Sequence, residues 1–211
     1  MAGAKIEKHI VGPVSTNCYF IINSDTDEAI IIDPGAEPKY LVERIEDSRL
    51  RPVAILLTHG HFDHAGAAEE LKKKYGIKIY AFEGERETLK NPIFNLSGDM
   101  FSLPEEYSAD EYLKDNEKTT LAGLTFTTLH TPGHTPGGCG FYFSEEKILF
   151  AGDSLFYGSV GRTDFPGGSM SQLVRSIKEK FFTLPEDTVV FTGHGEETTI
   201  GFEKDNNPFI N

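Results

Sequence analysis

The chain alternates between short apolar runs of strand length and segments whose apolar residues have helical spacing. Runs rich in β-branched and aromatic residues predict β-strands, and they cover residues 5–11, 17–22, 28–32, 53–57, 77–81, 124–129, 139–143, 147–151 and 188–191. Apolar residues three or four positions apart predict helices, which cover residues 38–47, 65–75, 84–90 and 170–182 and a short segment after residue 196. Ser169 is expected to cap the helix that follows it.

Residues 91–117 follow neither pattern, because prolines and aromatic residues are interspersed there with acidic ones. Two interpretations are open for them: an excursion that packs beside a functional site, or an ordinary surface loop. The polar segment at residues 23–27, by contrast, predicts a hairpin loop between two strands.

With 211 residues, of which 38% are apolar, the chain can bury a substantial core, and we expect one domain over residues 1–211. A net charge of −13 argues against a nucleic-acid partner, since phosphates require a basic surface. No apolar run approaches the ~18 residues of a membrane span, and the N-terminus lacks the pattern of a signal peptide. We therefore expect a cytoplasmic protein without membrane association, as a monomer or small homo-oligomer.

Several residues of reactive type are expected to be structural. Cys18 and Cys139 are too far apart to form a CxxC pair and are expected as small buried residues. Cys139 is close enough in sequence to His134 that a place in the wall of a site also stays open. His9 lies on the first predicted strand and is expected as an ordinary core or surface histidine, and His130 as a supporting residue.

One segment concentrates residues that bind metal ions. Three histidines and an aspartate fall between residues 59 and 64, directly after the apolar strand at residues 53–57. Imidazoles and a carboxylate placed this closely suit a divalent cation. The same order of apolar strand, glycine-containing turn and metal-binding side chain recurs at His134, Asp153 and His194. Because strands hold such turns rigidly, these side chains can converge at one rim of a sheet.

These metal-binding side chains are more numerous than one zinc ion requires, and they suit two cations that share a carboxylate: His59, His61, Asp63, His64, His134, Asp153 and His194. His59 and His61 alternate along the chain and can point in the same direction. Together with His134 they offer three nitrogens to one cation.

The second cation is expected between Asp63, His64 and His194, with Asp153 as the bridge, because a carboxylate has two oxygens. Two-metal hydrolytic sites hold their cations about 3.5–4 Å apart with a water or hydroxide between them. Imidazole and oxygen ligands suit zinc, which we expect, and iron or manganese as alternatives. Two cations make the pocket positive within an acidic protein, which favours an anionic substrate.

The order of residues from His59 to His64 matches the His-x-His-x-Asp-His signature, so the sequence resembles the metallo-β-lactamase superfamily. His134, Asp153 and His194 correspond in order to the remaining metal ligands of that family, and the resemblance covers nearly the whole chain. It implies an α+β fold: a four-layer αββα sandwich of two mixed β-sheets with outer helices and the site at one edge of the sheets.

Within the superfamily the sequence is most similar to the glyoxalase II (hydroxyacylglutathione hydrolase) branch, through Asp33-Pro34-Gly35, Thr131-Pro132-Gly133-His134-Thr135, Ala151-Gly152-Asp153 and Thr192-Gly193-His194-Gly195. This implies hydrolysis of S-lactoylglutathione or a related hydroxyacyl thioester by a metal-bridged hydroxide. Asp63 is the candidate catalytic residue, which both binds metal and orients the water. We expect β-lactam-hydrolysing members to have a cysteine in place of Asp153, so β-lactam hydrolysis is not expected.

The chain departs from full-length glyoxalase II in one respect. Only a short tail follows His194, so we expect no C-terminal glutathione-binding helical domain and a resemblance to the short hydrolases of this type. Residues 161–165 also resemble the persulfide dioxygenases. The alternative activity is therefore that of a mononuclear iron persulfide (sulfur) dioxygenase, whose single iron corresponds to His59, His134 and Asp153.

Candidate substrate contacts lie between the last two ligand positions. Arg162 is a candidate for binding a substrate carboxylate, or for a structural pair with Asp164. Phe156 and Tyr157 are candidates for the wall of the pocket. The expected partner is a small anionic thioester.

Overall fold

The first sheet of the protein is mixed and contains six strands. The computed structural model describes residues 3–100 and 104–210. The first sheet has the strands in chain order: β1 (Ala4–Val11), β2 (Thr16–Asn23), β3 (Glu28–Ile32), β4 (Arg51–Leu57), β5 (Lys78–Phe82) and β6 (Glu111–Leu113). Strands β1 to β3 are antiparallel and β3 to β6 are parallel. The hairpin predicted around residues 23–27 connects β2 to β3.

The second sheet is also mixed and has the order β14-β13-β10-β9-β8-β7. In chain order the strands are β7 (Lys118–Leu121), β8 (Leu124–His130), β9 (Cys139–Phe143) and β10 (Ile148–Gly152), a separate hairpin of β11 (Leu155–Phe156) and β12 (Ser159–Val160), then β13 (Val189–Thr192) and β14 (Thr198–Thr199). Strands β10 and β13 are parallel, and the other pairs in this sheet are antiparallel.

Helices connect the strands and cover the outer faces of the two sheets. They are α1 (Pro38–Asp47), α2 (Phe62–Ala65), α3 (Ala68–Tyr75), α4 (Arg86–Lys90), α5 (Ser97–Met100), α6 (Met170–Ser176) and α7 (Ile200–Asn206). A 3₁₀ turn, Glu83–Glu85, precedes α4, and a π-helical turn, Ile177–Phe181, continues α6. None of the helices in the described part of the chain has the length and apolar character needed to cross a membrane.

Strand β2 shows how the layers arise, because all eight of its residues are buried. Successive side chains of a strand point to opposite faces. Tyr19 and Ile21 belong to the core between the sheets, where the Tyr19 ring lies 5.3 Å from Phe150. Cys18 and Phe20 belong to the core on the helix-covered side of the first sheet. The second sheet has a corresponding outer core beneath α6. The predicted αββα sandwich of two mixed sheets is thereby confirmed.

The helix predicted at residues 65–75 is two helices, α2 and α3. They are separated where the chain packs on the loop that follows β3. A Cβ atom on Gly66 would lie 2.4 Å from the carbonyl oxygen of Gly35, and the Ala67 N–H donates to the Pro34 carbonyl at 2.9 Å. The first of these helices carries Asp63 and His64, so both belong to a helical turn and not to an open loop.

Other predictions were wrong in detail. Ser169 occupies the N-cap position of α6, but its side chain makes no capping hydrogen bond. Residues 91–117 include α5 and the edge strand β6, and residues 101–103 of that segment lie outside the described residues. Strands β7 and β14 were not predicted, because one is a short polar edge strand and the other has only two residues. One domain over residues 1–211 stays a prediction.

Candidate metal centre

The seven predicted ligands lie together at one rim of the two sheets. The segment after β4 supplies four of them, two directly and two from α2, while β8, β10 and β13 are each followed by one of the other three. Their donor atoms form three overlapping groups, each able to hold an ion: His59, His61 and His134; His59, His64 and Asp153; Asp63, His64 and His194.

The first group is made of nitrogens alone. Nδ1 of His61 lies 3.0 Å from Nε2 of His59 and 3.0 Å from Nε2 of His134. Nitrogens bound tetrahedrally to zinc at ordinary bond lengths are about 3.3 Å apart. The three imidazoles are therefore spaced as ligands of one cation.

The group of Asp63, His64 and His194 gathers around one carboxylate oxygen. Oδ2 of Asp63 lies 3.3 Å from Nε2 of His64 and 3.3 Å from Nε2 of His194. The Thr16 hydroxyl donates to the same oxygen at 2.8 Å. This hydroxyl orients the carboxylate towards the two imidazoles.

Asp153 lies between the two groups. Its Oδ2 is 3.6 Å from Nε2 of His134 and 3.5 Å from Nε2 of His194, and its Oδ1 is 3.5 Å from Nε2 of His64. Within the described chain, the Oδ1 atom and Nε2 of His64 are buried without a hydrogen-bond partner. Buried polar atoms require a partner, and a cation between them supplies one. The donor set thus fits a pair of divalent metal ions.

Asp33, which directly follows β3, orients His64 directly and His59 through Thr58. Nδ1 of His64 donates to Oδ2 of Asp33 at 3.0 Å. The Thr58 hydroxyl donates to the same oxygen at 2.6 Å and accepts from Nδ1 of His59 at 3.1 Å. These bonds leave both Nε2 atoms facing the centre, as is usual for metal-binding histidines. From the sequence, Asp33 was named only as part of the Asp33-Pro34-Gly35 motif that resembles the glyoxalase II branch. Nothing local identified Thr58.

The other two imidazoles that face the centre through Nε2 donate to backbone carbonyls. Nδ1 of His134 donates to the carbonyl of Arg162 at 2.7 Å, and Nδ1 of His194 donates to that of Ser15 at 3.3 Å. Each bond again directs Nε2 to the centre. The loops that contain Arg162 and Ser15 therefore take part in the site through their main chain.

The pKa values of the three imidazoles in the nitrogen group, His59, His61 and His134, are lowered. Burial, together with the neighbouring His134, lowers the pKa of His61 to about 3. Burial also lowers the pKa values of His59 and His134 below the ordinary histidine value. These imidazoles are neutral at pH 7, which is the form that binds metal.

In the carboxylate-rich group, which contains Asp63, His64 and His194, the pKa values of the imidazoles are raised instead. Burial opposes charge on His194, but hydrogen bonds with Asp153 and Asp63 outweigh it and raise its pKa to about 9. At His64 the nearby carboxylates likewise outweigh burial and raise the pKa well above the ordinary value. Burial also opposes ionisation of Asp63 and Asp153, but the imidazoles hold the pKa of each carboxyl below its usual range.

A cleft of about 560 Å³ opens onto the centre. Besides the ligands, its wall consists of mostly apolar side chains: Val14, Phe62, Leu96, Phe156, Arg162 and Phe165. Arg162 pairs with Asp164 through two hydrogen bonds of 3.0 and 2.8 Å, and its guanidinium lies over the Phe165 ring at 4.4 Å. Arg162 therefore lines the cleft and pairs with Asp164, and its binding of a substrate carboxylate stays a prediction.

Tyr157 is not brought into this cleft. Its ring stacks on Phe202 at 4.8 Å, and 54% of the residue is exposed. Neighbouring residues of a strand and its turn face different sides, so Phe156 and Tyr157 could not both line one wall. Leu96, which belongs to the irregular segment at residues 91–117, does line the cleft.

The residues expected to be structural are remote from the donor groups or buried behind them. Nδ1 of His9 pairs with the Tyr40 hydroxyl at 3.3 Å, and the His130 ring stacks on Phe82 at 4.2 Å. Cys18 and Cys139 are buried, and burial raises the pKa of each thiol well above its ordinary value. Both thiols are therefore in the unreactive protonated form.

A four-layer sandwich with histidine and aspartate ligands at its rim defines a metal-dependent hydrolase. The chain belongs to the metallo-beta-lactamase superfamily, whose family model matches residues 11–194. It is 40% identical to a probable metallo-hydrolase, YqgX, of Bacillus subtilis over 95% of each chain. It is 43% identical to the hydroxyacylglutathione hydrolase GloC of Haemophilus influenzae over 92% of each.

Among solved structures, the fold is similar to the B3 metallo-beta-lactamase BLEG-1. The TM-score is 0.92 and the identity 41%, with 98% of this chain and 99% of that chain covered. It is also similar to TTHA1623 in a di-iron-bound form, with a TM-score of 0.85, 35% identity and coverage of 96% and 99%. Relatives of comparable identity are thus named for different activities.

Proposed function

We propose that the protein is a binuclear thioester hydrolase of the glyoxalase II type, with S-lactoylglutathione or a related hydroxyacyl thioester as substrate. The observation that carries this proposal is the 43% identity to hydroxyacylglutathione hydrolase GloC over almost the whole length of both chains. The two donor groups, with Asp153 between them, support a pair of cations and not a single ion. Zinc is the proposed metal.

A bound pair of divalent cations supplies a Lewis acid for the carbonyl oxygen and lowers the pKa of water towards ~7. Asp63, whose Oδ2 is oriented by Thr16, directs the attacking water. Water adds to the thioester carbonyl carbon, the carbon–sulfur bond breaks, and the thiol and the carboxylic acid are the products. The chain supplies no nucleophile of its own, which agrees with the two buried cysteines.

Arg162 is the proposed anchor for a substrate carboxylate. About two thirds of its side chain is exposed (67%). An exposed ion pair is screened by solvent and contributes little stability, so Asp164 can be exchanged for a substrate anion at little cost. The aromatic ring of Phe165 beneath the guanidinium keeps it at the cleft.

The test is thioester turnover by protein loaded separately with zinc, iron or manganese. Thiol release from S-lactoylglutathione is followed with a chromogenic thiol reagent, and metal per chain is measured by mass spectrometry. We expect two ions per chain and thiol release that requires them. One iron per chain together with oxygen uptake on a persulfide substrate would overturn the proposal in favour of the sulfur dioxygenase.

A second candidate, β-lactam hydrolysis, is favoured by one observation. The chain is 41% identical to the B3 metallo-beta-lactamase BLEG-1, although β-lactam hydrolysis was not expected from the sequence. The same loaded samples are assayed with a chromogenic cephalosporin. Thioester turnover that is at least a hundredfold more efficient than cephalosporin turnover is the expected result, and the reverse ratio overturns it.

A further inference from the structure

A buried carboxylate outside the predicted ligand set lies against both loops that carry the nitrogen group. Glu85 ends the 3₁₀ turn Glu83–Glu85 and has no exposed surface. We propose that Glu85 is a positioning residue, which fixes the separation between the loop of His59 and His61 and the loop of His134. The inference rests on the metal-binding part of the proposed function and not on its substrate.

The two oxygens of Glu85 bind different loops. Oε2 accepts the N–H of Gly60, the residue between His59 and His61, at 2.7 Å. Oε1 accepts the hydroxyl of Thr135 at 2.6 Å and the N–H of Gly137 at 2.8 Å. Thr135 directly follows His134. One carboxylate therefore links residues adjacent to all three imidazoles of the nitrogen group.

Glycines in both loops allow this close approach. A Cβ atom on Gly60 would lie 2.9 Å from Oε2 of Glu85 and 3.0 Å from the backbone nitrogen of Leu89. A Cβ atom on Gly137 would lie 2.3 Å from the carbonyl carbon of Gly84. Real Cβ atoms essentially never come as close to backbone atoms as 2.3 Å, so any other residue at Gly137 would push its loop away from the turn, and a side chain at Gly60 would crowd the Glu85 carboxylate. The histidine loops are thus built around this segment.

The chemistry of the site requires a carboxylate at this position. All three bonds are donated to Glu85, so both of its oxygens act as acceptors. A glutamine has only one acceptor oxygen, and its NH₂ group would face either Gly60 or the Thr135–Gly137 loop donor to donor. Buried bonds to a charged group are among the stronger ones, and loss of one partner leaves the others unsatisfied.

The chain offers a matched control in Glu203. This carboxylate is also fully buried, and it accepts from the hydroxyl of Thr198 at 2.6 Å, the amide of Asn207 at 2.6 Å and the N–H of Gly158 at 3.1 Å. None of these donors is next to a metal ligand. Glu203→Gln therefore disturbs a buried carboxylate of equal burial and similar bonding away from the centre.

The experiment compares zinc affinity and the visible spectrum of cobalt-substituted protein for wild type, Glu85→Gln and Glu203→Gln. Partners that orient metal ligands contribute about 10–100-fold to affinity. We expect Glu85→Gln to lower the affinity for one of the two zinc ions by at least about tenfold in chelator competition. We also expect it to shift the visible absorption bands of bound cobalt. Glu203→Gln should keep both zinc affinities within about twofold and leave the cobalt spectrum unchanged, although both variants melt at a lower temperature.

Equal zinc affinities and cobalt spectra in the two variants would show that Glu85 is only structural and overturn the inference. If Glu85→Gln does not fold, Thr135→Val replaces it, because this change removes one donor and leaves the carboxylate. The zinc affinity and cobalt spectrum of that variant are then compared with those of Glu203→Gln in the same way. A wild-type protein that binds no second ion contradicts the proposed binuclear function, which is a separate result.

Discussion

The imidazoles of the centre divide into a group that is neutral at pH 7 and a group that holds protons. His64 faces three carboxylates and His194 faces two, whereas His59 and His61 face mainly other imidazoles. A cation that enters the carboxylate-rich group therefore competes with protons, and one that enters the nitrogen group does not. The two positions are expected to differ in the pH dependence of metal binding even with the same metal.

Protein stripped of metal should become less stable as pH rises. The pKa of His194 is raised from 6.5 to about 9 in the folded protein, so the folded state holds this proton more tightly than the unfolded state. The resulting stabilisation is fully present below pH 6.5 and is lost as pH rises through about 9. Melting temperatures in chelator from pH 6 to pH 10 should fall by several degrees. His194→Asn should flatten the curve, and a wild-type curve that rises instead would contradict the prediction.

Asp153→Ala should abolish turnover and reduce metal content. Its two oxygens face imidazoles of both groups, so its removal affects both cations. Loss of a partner that merely orients a metal ligand costs about 10–100-fold, and loss of the shared carboxylate should reduce kcat by at least a hundredfold. Asp187→Ala, which removes an exposed carboxylate paired with Lys147, is the control. Full metal and full activity in the Asp153 variant would exclude a shared carboxylate.

The ends of the strands place the ligands only because the turns that follow them are closely packed. Gly193, directly after β13, is the clearest case: a Cβ atom there would lie 2.0 Å from Oδ1 of Asp153 and 2.9 Å from the His64 ring. Gly195, two residues later, has open space around it but a φ of +75°. Gly193 is therefore required because a side chain has no room there, and Gly195 because its backbone conformation is left-handed.

Alanine at these two positions should therefore have different effects. Gly193→Ala pushes His194 and Asp153 apart, so we expect at least a tenfold loss of metal affinity. Gly195→Ala strains a left-handed residue and costs about 1 kcal/mol of stability, with metal affinity within about twofold. Metal titrations and denaturant unfolding measure the two quantities. The same loss of metal affinity in both variants would refute the distinction.

The secondary structure was predicted best where burial is two-sided. Strands β2, β3 and β9 and the last four residues of β4 are almost wholly buried, and their continuous apolar runs are visible in the sequence. The short edge strands β7 and β14 have polar residues, and pairing with a neighbour alone makes them strands. The separation of α2 from α3 was missed for a similar reason, since it is caused by contact with the loop at residues 33–35.

At the scale of the molecule, the cleft is formed by segments distant in sequence. Val14 comes from the loop between β1 and β2, Leu96 from the segment before α5, and Phe156 from the β11–β12 hairpin. These apolar walls stand directly over the metal-binding groups. They are expected to bind the apolar parts of the substrate, while the cations and Arg162 bind its charged or polar parts.

Phe156→Ala should raise KM with little change in kcat. The ring contributes apolar surface to the cleft. Its loss should reduce the free energy of substrate binding by about 1 kcal/mol, which corresponds to a three- to tenfold rise in KM. Phe202→Ala is the matched control, because this ring lies outside the cleft against Tyr157. Steady-state kinetics with one thioester compare the two variants. An equal rise in KM in the two variants, or an effect on kcat alone, would show that Phe156 does not bind the substrate.

The resemblance to the superfamily implied the layered fold, while the sequence by itself determined the buried strands and the donor side chains that meet at the rim. Both depend on local signals: continuous apolar runs for strands covered on two faces, and histidines and aspartates at short, fixed spacings after them. The order of the strands within each sheet and the wall of the cleft required the tertiary structure. So did the roles of Asp33, Thr58 and Glu85, because each depends on at least one hydrogen bond to a residue distant in sequence. A single buried carboxylate carries no pattern in sequence, and only packing reveals what it binds.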